Sequence, residues 1–226
     1  MSQIMKIKSL MLLTSRLEEV RQFYEKTLGF AILDASEDMF SIQVGWSRLC
    51  FKLTSMPYLY HYCFLIPRNQ LKGAMQWMGE RVPIVDIQPG KKTVHFDSWN
   101  ADSFYFYDPA GNIAECIAHN ELDNDSSGPF DRTSLLAVNE IGLGTDNIEK
   151  INSILERQCA SPFWKGDLMS FGTNGSAEGR VLIPDYNIKE TWFPTNIKIE
   201  PAPVDLLIEC QGRKFKLIYR NGELSV

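Results

Sequence analysis

Three histidines set the limit on imidazole chemistry in this chain: His61, His95 and His119. A metal site must draw on those or be filled out with carboxylates. His61 opens the run HYCFLI beside Tyr58, Tyr60 and Tyr62, where an imidazole reads either as an interfacial aromatic with one nitrogen satisfied or as a metal ligand. Glu115 stands inside the apolar strand IAECIA, where a carboxylate without a partner is costly to bury, so a metal, a histidine or an arginine is expected beside it. Its alternative role is a structural salt bridge. His95, in TVHFDSW, could add a third ligand or touch a substrate, although an exposed histidine is the commoner outcome. His119 begins a polar segment and reads as solvent-facing.

Other chemistries lack their residues. GLGTDN at 142–147 is missing the third glycine of a dinucleotide loop, and there is neither a Walker loop nor a GxSxG elbow. Five cysteines, Cys50, Cys63, Cys116, Cys159 and Cys210, are dispersed without a CxxC pair and read as small buried hydrophobes. With 23 basic against 28 acidic residues the net charge is −5, which gives no field for a phosphate backbone, so nucleic acid is not the expected partner. The segment MSQIMKIKSLMLLTSR has too short an apolar run for a signal or a membrane span, and a cytoplasmic protein is expected. The sequon Asn174-Gly175-Ser176 then reads as a turn.

The elements that must position these residues come as a repeat within 226 residues, 44% of them hydrophobic. A strand at 9–14 precedes Ser15 and Glu18, spaced as a capping box, and a stripe from Leu17 to Leu28 at helical spacing that stops at Gly29. The strand HYCFLI precedes Asn69 as a cap and a stripe from Leu71 to Val82. The strand EIGLGT precedes Asp146, Glu149 and the stripe Ile148, Ile151 and Leu155. Short strands follow each helix: 40–44 and 49–53, then 103–107 and 113–118, then 168–172 and 180–183, with turns at Asn174-Gly175 and Glu178-Gly179. Each unit reads β-α-β-β-β, and strands 205–209 and 214–220 form a closing hairpin. The polar segment 121–134 reads as a linker between residues 1–120, two paired units, and residues 135–226, a third unit with the hairpin.

Two stretches, LEEVRQFYEKTLGF at 17–30 and SFYFYDPAGNIAECI at 103–117, resemble the vicinal oxygen chelate superfamily, which includes glyoxalase I, extradiol dioxygenases and bleomycin-binding proteins. The resemblance covers residues 5–118, and residues 138–195, with TWFPT at 191–195, look like a more divergent unit. It implies an α+β fold of repeated β-α-β-β-β units forming curved mixed sheets, two paired into a cup plus a divergent third unit. It also implies a divalent metal, iron, zinc, manganese or nickel, held by the first and last strands of each unit. Matching the units puts Ser9, His61 and Glu140 in the first-strand ligand position and Phe51, Glu115 and Ile183 in the last-strand position. His61 and Glu115 are then the metal ligands, Glu115 doubling as the catalytic group, while Glu140 falls in the third unit's own cup as a structural or dimer-related charge. Aromatics on the strands place Phe51, Tyr62, His95, Trp99, Phe104 and Phe106 around a pocket for a small, partly aromatic ligand. Ser9 and Phe51 depart from the ligand pattern and favour the alternative of a metal-free binding protein of the bleomycin-resistance type. The third unit is expected to complete itself with the hairpin or in a homodimer.

Overall fold

The computed structural model describes residues 4–226; residues 1–3 of the N-terminal segment lie outside the described residues. The repeat forms as expected. Unit one is β1 (Met5–Thr14), α1 (Leu17–Gln22) with a π-helical turn Phe23–Thr27, β2 (Ile32–Ala35), β3 (Met39–Val44) and β4 (Ser47–Leu53). Unit two is β5 (His61–Ile66), α2 (Leu71–Gly79), β6 (Val94–Phe96), β7 (Ala101–Tyr107) and β8 (Ile113–His119). Unit three is β9 (Ala137–Gly142), α3 (Ile148–Cys159), β10 (Phe163–Gly166), β11 (Phe171–Ser176) and β12 (Gly179–Pro184). The chain closes with β13 (Val204–Cys210), β14 (Arg213–Arg220) and β15 (Glu223–Ser225). No helix of the described residues is long and apolar enough to cross a membrane.

How the units pair differs from the sequence expectation. In each unit the first strand runs parallel to the last, β1 with β4, β5 with β8 and β9 with β12, which leaves the other edge of the first strand open. An open edge must be covered or paired. The edges of β5 and β9 pair antiparallel, so units two and three form one sheet, β10-β11-β12-β9-β5-β8-β7-β6. Unit one pairs instead with the C-terminal hairpin, β1 against β13, giving β15-β14-β13-β1-β4-β3-β2. The segment 121–134 therefore connects β8 to β9 within one sheet, passing over β5, which lies between them.

Alternation divides the second sheet by face. Tyr62, Phe64, Phe104, Phe106, Cys116, Val181 and Ile183 enter the main core with the first sheet and the three helices. The opposite face carries His61, Tyr105, Glu115 and Leu182. The two sheets are fastened where Ser47 Oγ donates to Ile7 O at 2.6 Å and accepts from Val138 N at 3.0 Å. All five cysteines are free and buried.

Three expected helix caps are replaced by neighbours. Helix α1 starts after Arg16 with no side-chain cap, so Ser15 and Glu18 form no capping box. Asn69 is drawn off by the backbone of Ser126 and does not cap α2. In α3 the cap is Asn147, accepting from Lys150 N at 2.9 Å, and not Asp146. Asn174-Gly175 lies inside β11, where it is no turn, and the chain reverses at 177–178.

The turn Asp108–Asn112 carries a buried network. Asp108 accepts from Ala110 N, Asn112 N, Asn112 Nδ2 and Tyr62 Oη, and Tyr62 is hydrogen-bonded in turn to Tyr24. Burial pushes the Asp108 carboxyl up to about 6, while the donors of Asn112 pull the other way. A raised value means that the folded state holds this proton more tightly than the unfolded chain, so the contribution of Asp108 is largest below about pH 4 and falls as pH rises to about 6. Asp108→Ala should cost about 3 kcal/mol near pH 4, because four donors lose their acceptor. That deficit should narrow toward pH 7, and urea melts that give a pH-independent deficit would refute the assignment.

Candidate metal centre

Three buried side chains meet on the concave face of the second sheet. One ligand atom each from His61, Glu115 and Glu140 lies within 4.8 Å of the others. His61 opens β5, and Glu115 lies on the neighbouring β8, paired with Cys63 two residues along. His61 Nε2 is 3.2 Å from Glu115 Oε2.

Glu140 reaches this face through an irregularity. Val138 of β9 points into the main core, and strict alternation would send Glu140 after it. The register instead shifts: Cys63 faces Glu140 while the next residue, Phe64, faces Val138. Asn139 is the extra residue of a β-bulge, which turns Glu140 back to the concave side and leaves Ile141 facing the core. The fourth position, opposite Gly142 on β12, belongs to Leu182. Ile183, expected there from the sequence, faces the core one residue on.

The electrostatics suit a bound cation. His61 Nδ1, Glu115 Oε1 and both Glu140 oxygens are buried with no hydrogen-bond partner among the described residues. Burial raises the Glu140 carboxyl, opposed by Arg180 and reinforced by the nearby charge of Glu115. Two carboxylates in an apolar cup are expensive unless a cation lies between them. One nitrogen and two carboxylate oxygens form a donor set for a borderline or hard divalent ion such as iron, manganese, zinc or nickel. The Cys63 thiol is pushed up by burial and then by Glu115, so it stays protonated and is no part of the cluster.

Above the triad lies a cavity of about 290 Å³, walled by Phe96, Trp99, Tyr105, Phe171, Trp192 and Phe193. The Trp192 ring stacks on His61 with centroids 5.2 Å apart and planes 16° apart. It fits there because residue 142 is glycine: a Cβ on Gly142 would stand 2.2 Å from the indole. Trp192 and Phe193 come from the long connection between β12 and β13.

Of the pocket residues expected from sequence, Trp99 lines this cavity. Tyr62, Phe104 and Phe106 lie on the opposite, core-facing side of their strands, and Phe51 is in the first sheet, stacked on Phe40. His95 is exposed and bonds to Asp102 at 2.9 Å. His119 does not face solvent: it is fully buried in β8, and burial and then Arg180 lower its pKa to about 2, keeping it neutral. Ser9 is on β1 in the first sheet, away from the triad. Glu140, expected from the sequence as a structural charge, is instead the third member of the cluster. Its signal was its match to His61 at the first-strand position.

Units with this strand order, joined through their first strands around a concave site, define the vicinal oxygen chelate fold, and the chain has it. Among solved structures sharing it is a "putative dioxygenase" from Bacillus subtilis subsp. subtilis str. 168, 12% identical, matching 96% of this chain and 86% of that one with a TM-score of 0.59. Another is a glyoxalase I variant from Zea mays, 11% identical over 81% of this chain and 69% of that one, TM-score 0.53. At this identity the likeness is one of fold. No protein-family model matches the sequence, and neither does any curated protein.

Proposed function

We propose that the chain is a cytoplasmic, metal-dependent protein that binds a small, partly aromatic molecule in the cup of units two and three, with chemistry of the lyase or ring-cleaving dioxygenase type. The observation that carries this reading is the convergence of three buried ligand side chains, with unpartnered atoms, beneath an aromatic-walled cavity. A divalent ion held by His61, Glu115 and Glu140 would supply Lewis-acid polarisation of two neighbouring ligand oxygens. The protein's own part is to bind and to exclude water. Phe96, Tyr105, Trp192 and Phe193 offer faces and edges to a planar body. Burial and the charge of Glu115 raise the Tyr105 phenol, so it remains a hydrogen-bond donor. Glu115 Oε1 has no hydrogen-bond partner among the described residues and can take a proton from a ligand seated above it.

A second reading, a metal-free binding protein, is favoured by the pairing already present. His61 lies beside Glu115, and Arg180 Nε is 3.3 Å from Glu140 Oε1, so each carboxylate has a cationic or potentially cationic neighbour. Elemental analysis of protein purified without chelator separates the two. About one equivalent of a transition metal per chain is expected. Less than about a tenth, unchanged after adding iron, zinc, manganese or nickel, establishes the metal-free reading. Sedimentation of the same sample tests the homodimer, which we propose on the fold's capacity for two-fold pairing.

A further inference from the structure

Behind the triad lies a charged residue that sequence reading did not single out. Arg180, opposite Glu140 in the parallel pair β9 and β12, is fully buried. Its guanidinium sits between two indoles, with its carbon 5.0 Å from the Trp99 ring centre and 4.4 Å from that of Trp164. Nη2 donates to Asn139 Oδ1 at 2.8 Å and Ala177 O at 3.3 Å and contacts the neutral His119 at Nε2. Nε lies 3.3 Å from Glu140 Oε1, yet neither Nε nor Nη1 has a hydrogen-bond acceptor among the described residues. The group is thus clamped on two faces and along one edge, and a different edge is turned to Glu140.

The bulge connects the two. Asn139, the extra residue of β9, anchors Arg180 through its side chain, and the same irregularity brings Glu140 to the concave face. A carboxylate can meet a cation through one oxygen or both, and a fixed guanidinium against one oxygen decides between them. We propose that Arg180 is a positioning residue for the metal centre, holding one oxygen of Glu140 so that the other alone is presented to the cation. This rests on the metal-centre reading above.

Charge and positioning make opposite predictions. Were Arg180 only a nearby positive charge, its removal would relieve repulsion and tighten cation binding, and lysine would replace it without effect. As a positioning group it cannot be replaced by lysine, which lacks the planar fork. The test is a cobalt(II) titration of the full chain, followed by visible absorption, for the parent protein and for Arg180→Met, Arg180→Lys and Asn139→Ala. Loss of an outer-shell partner commonly weakens metal affinity about 10- to 100-fold. Both Arg180 variants should fall in that range with an altered cobalt spectrum, and Asn139→Ala, which unpins Nη2 without changing any charge, should move the same way by a smaller factor. Variants with parent-like near-ultraviolet circular dichroism that bind cobalt equally or more tightly, with an unchanged spectrum, overturn the proposal. If the Arg180 variants do not fold, Asn139→Ala decides alone: parent-like binding overturns the proposal and weaker binding supports it. A parent protein that binds no cobalt sinks the metal-centre reading itself, and the positioning role with it.

Discussion

Glu140→Gln should lower divalent-metal affinity by on the order of 10³-fold, equivalent to about 4 kcal/mol, while leaving the metal-free protein almost as stable as before. The first part follows from coordination: amide oxygen replaces carboxylate in a centre with three protein ligands, and the charge that balances the ion is reduced. The second follows from burial, which raises the Glu140 carboxyl, and from shape: glutamine is nearly isosteric and carries no charge to desolvate. Metal that binds the folded state stabilises it by mass action. Melting curves with and without added metal should therefore be well separated for the parent and nearly superimposed for the variant. A variant that keeps the parent's metal-dependent shift would remove Glu140 from the ligand set.

Gly45→Ala should be among the most destabilising single changes outside the site, costing about 3 kcal/mol or more. Gly45 turns the β3–β4 hairpin at φ +50°, where a side chain is already disfavoured by about 1 kcal/mol or slightly more. The greater cost is steric: a Cβ there would lie 1.6 Å from the carbonyl oxygen of Leu136. That carbonyl accepts from Trp46 N at 3.2 Å, and Leu136 N donates to Leu65 O at 2.8 Å, so one residue ties unit one to the junction of units two and three. Gly212→Ala is the control, since it shares the positive φ at +76° with nothing within 4 Å of the added carbon. Urea denaturation should place Gly45→Ala at least about 2 kcal/mol below that control. Equal stabilities would mean that the hairpin tip is free to move away.

What the sequence disclosed, and where it fell silent, can be traced to particular residues. The units were legible because each buries a stripe at helical spacing, such as Leu17 to Leu28, after a short apolar strand. Their pairing was not, because the open edges of β1, β5 and β9 present the same backbone groups and nothing local says which will meet. That one uncertainty moved Glu140 out of the site. Position in the repeat matches the residue to His61, but the sequence places its unit in a different cup. The bulge at Asn139 hides it further, since alternation from Val138 predicts a core-facing side chain. Tyr62 could have been excluded on the same rule, because it follows His61 on one strand and must face away. Phe104 and Phe106 could not, since their side is fixed by the pairing of Tyr105 with Glu115. Trp192 and Phe193 close the cavity from a connection whose path has no period to read.

The nested pairing of the sheets also orders events during synthesis. Strand β1 takes β13 as a neighbour, and β13 is translated after every residue that lines the metal centre. The sheet of units two and three has all its strands once β12 has emerged, whereas one edge of β1 gains its partner only when β13 follows. Domains tend to fold as they leave the ribosome, N-terminal parts first, and contacts distant in sequence close slowly. The pairing of β1 with β13 is the longest-range strand contact of the first sheet and is expected to be among the slowest to close.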